Sequence, residues 1–160
     1  MEDGRQRCRL SIIETKQDRS APPIGAKRSA AAEHSRCAFG AMAGPEWMAK
    51  AIRAARTLRA VTVGQPRSGH SVYVILLRDA QRHQRWGLYV GQTSRDPDWR
   101  FDQHKAGYKA SSSARRFGVC LLPDLVDHLN PMRQWESLDL EAALADAFRS
   151  AGVPWVEGGH

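Results

Sequence analysis

"WGLYVGQTSRDPDWRFDQH", residues 86–104, is the stretch whose reading decides the fold. Its first eight residues, "WGLYVGQT", read as a strand, because aromatic and β-branched residues suit a pleated surface. Asp96-Pro97-Asp98 then makes a helix entrance, where an acidic side chain satisfies free backbone N–H groups and proline tolerates the first turn. The helix is expected from about Asp98 to Ala106. On it Arg100 and His104 stand four residues apart, so they project from one face, about 6 Å apart at Cβ. Packing explains Leu88 and Val90. It does not explain Tyr89, Arg100 and His104 together.

Working outward, "SVYVILL" (residues 71–77) is the natural partner strand, joined to the first through the polar loop "RDAQRHQR". Tyr73 and Tyr89 share a sheet face if the register allows. Downstream, "FGVCLLPDLV" (residues 117–126) supplies a third strand that Pro123 ends. A last helix starts at Ser137 or Asp139 and runs to about Ser150, where Gly152 and Pro154 stop it. The order is β-β-α-β-α, an α+β pattern without internal repeats. On the last helix Glu141 is flanked by Leu138, Leu140, Ala142, Leu144 and Ala145. A carboxylate beside an apolar stripe needs a metal ion or an arginine, since burying it unpaired is costly. Glu136 is its rival for that part.

The chain of 160 residues divides into an expected disordered basic segment over 1–45, a basic helix and linker over 46–69, and a domain over 70–160. Residues 1–69 hold 13 Lys/Arg against 6 Asp/Glu, whereas residues 70–160 hold 11 of each. Within the second part the basic charge sits in residues 70–116, with 9 basic and 4 acidic side chains. Such a distribution draws polyanions by long-range attraction that salt weakens. The expected helix over 46–59 puts Trp47, Ala51, Ala55 and Leu58 near one stripe, with Lys50, Arg53, Arg56 and Arg59 around it. A plain solvated helix is an equal reading of those charges. Cys8, Cys37 and Cys120 are odd in number and show no CxxC spacing, which argues against a disulfide framework and a cysteine zinc site. Cys120 reads as a small buried hydrophobe, and a reducing, cytoplasmic compartment is expected. No apolar run is long enough to cross a bilayer. The Arg-rich start lacks the apolar stretch of a secretory signal.

These residues resemble the GIY-YIG nuclease superfamily. "SVYV" at 71–74 looks like the GIY element and "YVG" at 89–91 like the YIG element. Arg100 and His104 match the helix that follows, and "LDLEAALADAF" is similar to the later helix that carries the family's metal-binding glutamate, at Glu141. The resemblance covers residues 70–160. It implies a small three-stranded antiparallel sheet flanked by helices, and a metal-dependent endonuclease acting on DNA, with RNA left open. Tyr73 would be the general base and Tyr89 would hold the water or a phosphate. Arg100 would grip the non-bridging oxygens through parallel hydrogen bonds, and His104 would position phosphate or relay a proton. Glu141 would hold one Mg²⁺ or Mn²⁺ ion. Lys105, Lys109, Arg115 and Arg116 are the candidate contacts to nucleic-acid phosphates, and Trp99 could cover a base or support Arg100.

The chain departs from the pattern at Ser71, where the family has glycine, and at Val72, where it has isoleucine. The asparagine expected after the last helix has no counterpart near Val156, Glu157 and Gly158. A further polar residue after the arginine helix could be Tyr108, Lys109, Ser111, Ser112 or Ser113. Taken singly, each candidate also has a bland reading. Strand tyrosines pack, and Arg100 could pair with Asp96 or Asp102 on a solvated helix. A catalytically degenerate nucleic-acid-binding module of the same fold is therefore the rival reading, and a third is a basic helix that binds while the domain only scaffolds it.

Overall fold

The computed structural model describes residues 36–37, 45–65 and 67–159. The disorder expected over 1–45 thus falls, apart from Arg36, Cys37 and Pro45, outside the described residues. The elements are α1 (Met48–Thr57), β1 (Ser71–Arg78), β2 (Trp86–Thr93), α2 (Pro97–Ala106), α3 (Ser112–Phe117), β3 (Gly118–Leu121), α4 (Gln134–Ser150) and β4 (Val156–Glu157). Two 3-10 turns, Pro123–Leu125 and Asp127–Leu129, lead from β3 towards α4.

The fold is α+β, and the sheet runs in the order β3-β1-β2-β4. β1 pairs antiparallel with both β2 and β3, but β4 runs parallel to β2. The expected three-stranded antiparallel sheet is therefore corrected to a mixed sheet of four strands. Gly152, left-handed at φ 83°, turns the chain after α4. Val153 and Trp155 then bury their side chains, and the Leu88 N–H donates to the Trp155 carbonyl at 2.9 Å. That anchorage lays Val156 and Glu157 beside Leu88 and Tyr89.

Helices cover both faces of the sheet, which is why β1 reads as one apolar run instead of an alternation. Val72, Val74, Leu76, Leu88 and Val90 pack with Met48, Ala51 and Ala55 of α1 and with Leu140, Leu144 and Phe148 of α4. On the opposite face Tyr73, Ile75 and Leu77 meet Phe101 of α2, Ala114 of α3 and Trp155. Phe148 is fully buried, so truncation to alanine costs about 3–5 kcal/mol.

Helix α2 begins as its sequence demands. The Asp96 side chain accepts from the Asp98 N–H at 2.9 Å, Pro97 fills the first turn, and Gly107 ends the helix at φ 86°. Asp98 is itself buried and pairs with Arg36, whose guanidinium donates to both carboxylate oxygens. Helix α4 begins at Gln134, ahead of Ser137 and Asp139. Ser137 lies inside the first turn and donates its hydroxyl to the Gln134 carbonyl at 2.7 Å.

Cys37 and Cys120 form a disulfide across 83 residues, which corrects the argument against disulfide pairing, while Cys120 is buried as expected. The Cys37 N–H donates to the Leu121 carbonyl at 2.9 Å, and Arg36 bridges Leu121 in parallel. Two main-chain residues thus lie along β3 at the position that brings the sulfurs together. The cysteine-based argument for a reducing compartment loses its premise. Cys8 lies outside the described residues. Among the described residues no helix is long and apolar enough to cross a membrane.

Candidate active site

The register settles the tyrosines. Tyr73 stands opposite Gly91 and Tyr89 opposite Ile75, so the two phenols rise diagonally from the same face, the one covered by α2 and α3. Their ring centroids are 6.2 Å apart. The glycine of "YVG" has a steric reason. A Cβ at Gly91 would lie 2.6 Å from both Cζ and Oη of Tyr73 and 2.9 Å from Cε1 of Tyr89. Only a residue without a side chain lets the Tyr73 ring cross β2.

His104 comes to this face from α2 and is fully buried. Its Nε2 lies 2.8 Å from the Tyr73 hydroxyl, and its ring stands edge-on to Tyr89 with centroids 5.5 Å apart. The Ser111 backbone N–H donates to Nδ1 at 3.1 Å. A backbone amide can only donate, so Nδ1 carries no proton and the neutral ring carries its proton on Nε2. His104 therefore donates to the Tyr73 oxygen, which leaves the phenol's own proton free to point elsewhere. Burial, with the Arg100 charge adding to it, pushes the His104 pKa down to about 4. The imidazole is neutral across the physiological range.

Arg100 projects from the same helix and is half-buried. It does not pair with Asp96 or Asp102. Its guanidinium donates to the Lys109 carbonyl at 2.8 Å, to Gln103 Oε1 at 3.2 Å and to the Tyr108 carbonyl at 3.5 Å. These bonds tie the segment after α2 back onto the helix. Burial raises the Tyr73 pKa, the neighbouring Tyr89 adds to the rise, and Arg100 opposes it. Burial also raises Tyr89, the Tyr73 hydroxyl lowers it, and the Glu141 carboxylate raises it again. Arg100 and the Ser111 hydroxyl pull it back down.

Glu141 is buried on α4, which packs against the other face of the sheet, yet its charge reaches the Tyr89 hydroxyl. Tyr73, Tyr89, Arg100 and His104 are thus in one group with Glu141 at its margin. The rival carboxylate is used elsewhere. Glu136 accepts hydrogen bonds from the Val61 N–H, the Thr62 N–H and the Thr62 hydroxyl, fastening the loop after α1 to α4. Those bonds hold its pKa below the usual carboxylate range against the effect of burial.

The four basic candidates differ. Lys105 donates to the Gly118 and Arg115 carbonyls at 2.9 and 3.2 Å, so its ammonium serves the end of α3. The Arg115 guanidinium lies against Gly107, and the Arg116 guanidinium lies over Phe117 at 5.1 Å. Lys109 is exposed next to Arg100. Of the five polar residues considered after α2, Ser111 is the one that touches both His104 and Tyr89. Asn130 had no signal in the sequence. Its Oδ1 accepts from the Val72 N–H at 2.9 Å and its Nδ2 donates to the Val72 carbonyl at 2.8 Å, bracing β1 next to Tyr73.

Among the described residues no group of three or more His, Cys, Asp or Glu side chains is arranged to hold a metal ion. Both nitrogens of His104 are engaged, so metal ligation at this end of the sheet would fall to oxygen atoms. An oxygen-only set around one carboxylate fits a hard cation that keeps most of its waters. No protein-family model matches the chain, and neither a curated protein nor a solved structure does.

Proposed function

We propose that the chain is a metal-dependent phosphodiester hydrolase acting on nucleic acid, DNA in the first instance, through a GIY-YIG-like site. The observation that carries this reading is the bond between His104 Nε2–H and the Tyr73 oxygen, with the imidazole held in one tautomer by Ser111. A phenol that receives a hydrogen bond at its oxygen is being prepared for the anionic form, because the same donor stabilises a phenolate more strongly than a phenol. Tyr73 would take the proton of the attacking water. Burial opposes that ionisation and Arg100 offsets it only in part, so the phenolate would also need the positive charge of a bound cation.

Arg100 would hold the non-bridging oxygens, and its bonds to the Tyr108 and Lys109 carbonyls keep the guanidinium plane oriented for this. Tyr89, between Tyr73 and the Glu141 charge, would position the water or a phosphate oxygen. Glu141 would hold Mg²⁺ or Mn²⁺. When bound, such an ion supplies Lewis-acid stabilisation of the phosphate and the leaving oxygen.

The test is cleavage of supercoiled and linear DNA by the full chain with Mg²⁺ present. Tyr73→Phe, Arg100→Ala and Glu141→Gln should each lower the rate about 100- to 1000-fold. Wild-type rates in all three would locate the activity elsewhere. The rival reading, a binding module without turnover, is favoured by Glu157. That residue stands near where the family has asparagine, and its carboxylate accepts from the Trp155 indole N–H at 2.9 Å. Salt-sensitive binding, with no product from DNA or RNA, would decide for it.

A further inference from the structure

Beside Arg100 runs an open groove of about 900 Å³, whose lining includes Arg95, Trp99, Gln103, Tyr108 and Lys109. Two features set it apart from an ordinary polar surface. Trp99 and Tyr108 leave 37% and 58% of their surface to solvent, although large aromatic side chains usually bury themselves. Each also has a cation beside its ring. The Arg95 guanidinium is 5.5 Å from the Trp99 centroid, and the Lys109 ammonium is 5.7 Å from the Tyr108 centroid.

The two rings are placed with respect to Arg100. Trp99 precedes it on α2. Tyr108 is drawn in because Arg100 donates to the carbonyls of Tyr108 and Lys109, and Lys109 takes the left-handed conformation, φ 43°, as the chain turns away. Arg100 thus lines the same groove as two exposed aromatic side chains, each with a positive charge beside its ring.

The chemistry of that pattern is specific. Phosphates satisfy the cations, and an aromatic face with a neighbouring cation stacks on a flat heterocycle. A paired duplex presents phosphates outward and keeps its base faces stacked within. It can satisfy Arg95, Arg100 and Lys109 but offers nothing to Trp99 or Tyr108. We infer that the groove takes unpaired nucleotides, with bases stacked on Trp99 and Tyr108 and the intervening phosphate on Arg100. The substrate class is then single-stranded nucleic acid, or an unpaired segment within a larger structure. This inference rests on the nuclease reading for the phosphate at Arg100, but its test does not need turnover.

The experiment measures fluorescence anisotropy of the full chain with a labelled single strand and with its blunt duplex, in EDTA. Wild type should prefer the single strand. Trp99→Ala and Tyr108→Ala should each weaken single-strand binding about 5- to 100-fold and leave duplex binding within about twofold. Trp99→Phe should retain most of the affinity. Unchanged single-strand affinity in both alanine variants, or an equal loss for both forms of DNA, overturns the inference. A cleavage arm with Mg²⁺ separates the two readings. Aromatic-dependent binding without product removes the nuclease and keeps the stacking groove. Duplex cleavage indifferent to Trp99 and Tyr108 does the reverse.

Discussion

Replacing Gly91 by alanine adds one methyl group on the far side of the sheet from α4, and its effect can be worked out from the coordinates. The new Cβ would fall 2.6 Å from Cζ and Oη of Tyr73, where nonbonded carbon contacts ordinarily stand at about 3.5–4.0 Å. The phenol must retreat by about 1 Å. His104 cannot follow, because it is fully buried and its other nitrogen is held by the Ser111 amide. The 2.8 Å bond between Tyr73 and His104 then lengthens beyond the limit for a real hydrogen bond, about 3.5 Å. Crowding of this kind costs about 1–3 kcal/mol of stability, which leaves a folded protein. Misplacing a reacting group by 1 Å costs about 100-fold in rate. Denaturant unfolding should therefore show a modest loss and cleavage a large one, while the ¹⁵N resonance of His104 Nε2 shifts towards that of an unbonded imidazole. Gly69→Ala is the control, since nothing lies within 4 Å of its added Cβ. Wild-type turnover in Gly91→Ala, with the His104 resonance unmoved, would refute the steric argument and the pairing of Tyr73 with His104.

Three further outcomes follow from the same coordinates. Reducing the Cys37–Cys120 disulfide, or substituting Cys37→Ser, removes a link that closes 83 residues, and loop-closure entropy puts the loss at about 4.5 kcal/mol by denaturant titration; equal stability of both forms would contradict it. Glu136→Gln should cost about 1–3 kcal/mol, as donors at Val61 and Thr62 lose their charged acceptor. Because the folded pKa of Glu136 is depressed, its contribution is present above about pH 4.5 and fades as the carboxylate protonates below that, so the variant and wild type should converge in acid. His104 is neutral in the fold down to about pH 4, whereas an unfolded histidine protonates near 6.5, so stability should fall by about 3 kcal/mol as pH drops through that window. His104→Gln should flatten that slope.

What could be read from the residues and what could not divides along physical lines. The hairpin, the Asp96-Pro97 helix start and the shared face of Arg100 and His104 depend on local periodicity and capping, so they were legible. β4 was not, because two residues carry no alternation and its pairing with Leu88 and Tyr89 is decided by the burial of Trp155 far along the chain. The disulfide was hidden for a similar reason. Cys37 lies in a segment without periodicity, and only the tertiary bridge to Leu121 brings it near Cys120. Glu136 and Glu141 are chemically identical in sequence, and a loop 74 residues away distinguishes them. The tautomer of His104 is set by a main-chain N–H, a group that every residue except proline carries and that no motif can mark.

Asn130 has a consequence of a different sort. Strand pairing through main-chain groups is indifferent to which residues stand there, so mutation rarely erases it. At the Tyr73 end of β1 that duty passes to one amide side chain, which imitates a neighbouring strand by offering both an acceptor and a donor to Val72. The end of β1 nearest the phenols, beyond the residues that pair with β3, is consequently encoded by a codon. A single nucleotide change, asparagine to aspartate, would turn the donor into a second acceptor facing a carbonyl and loosen that end while the remaining ladder stayed intact.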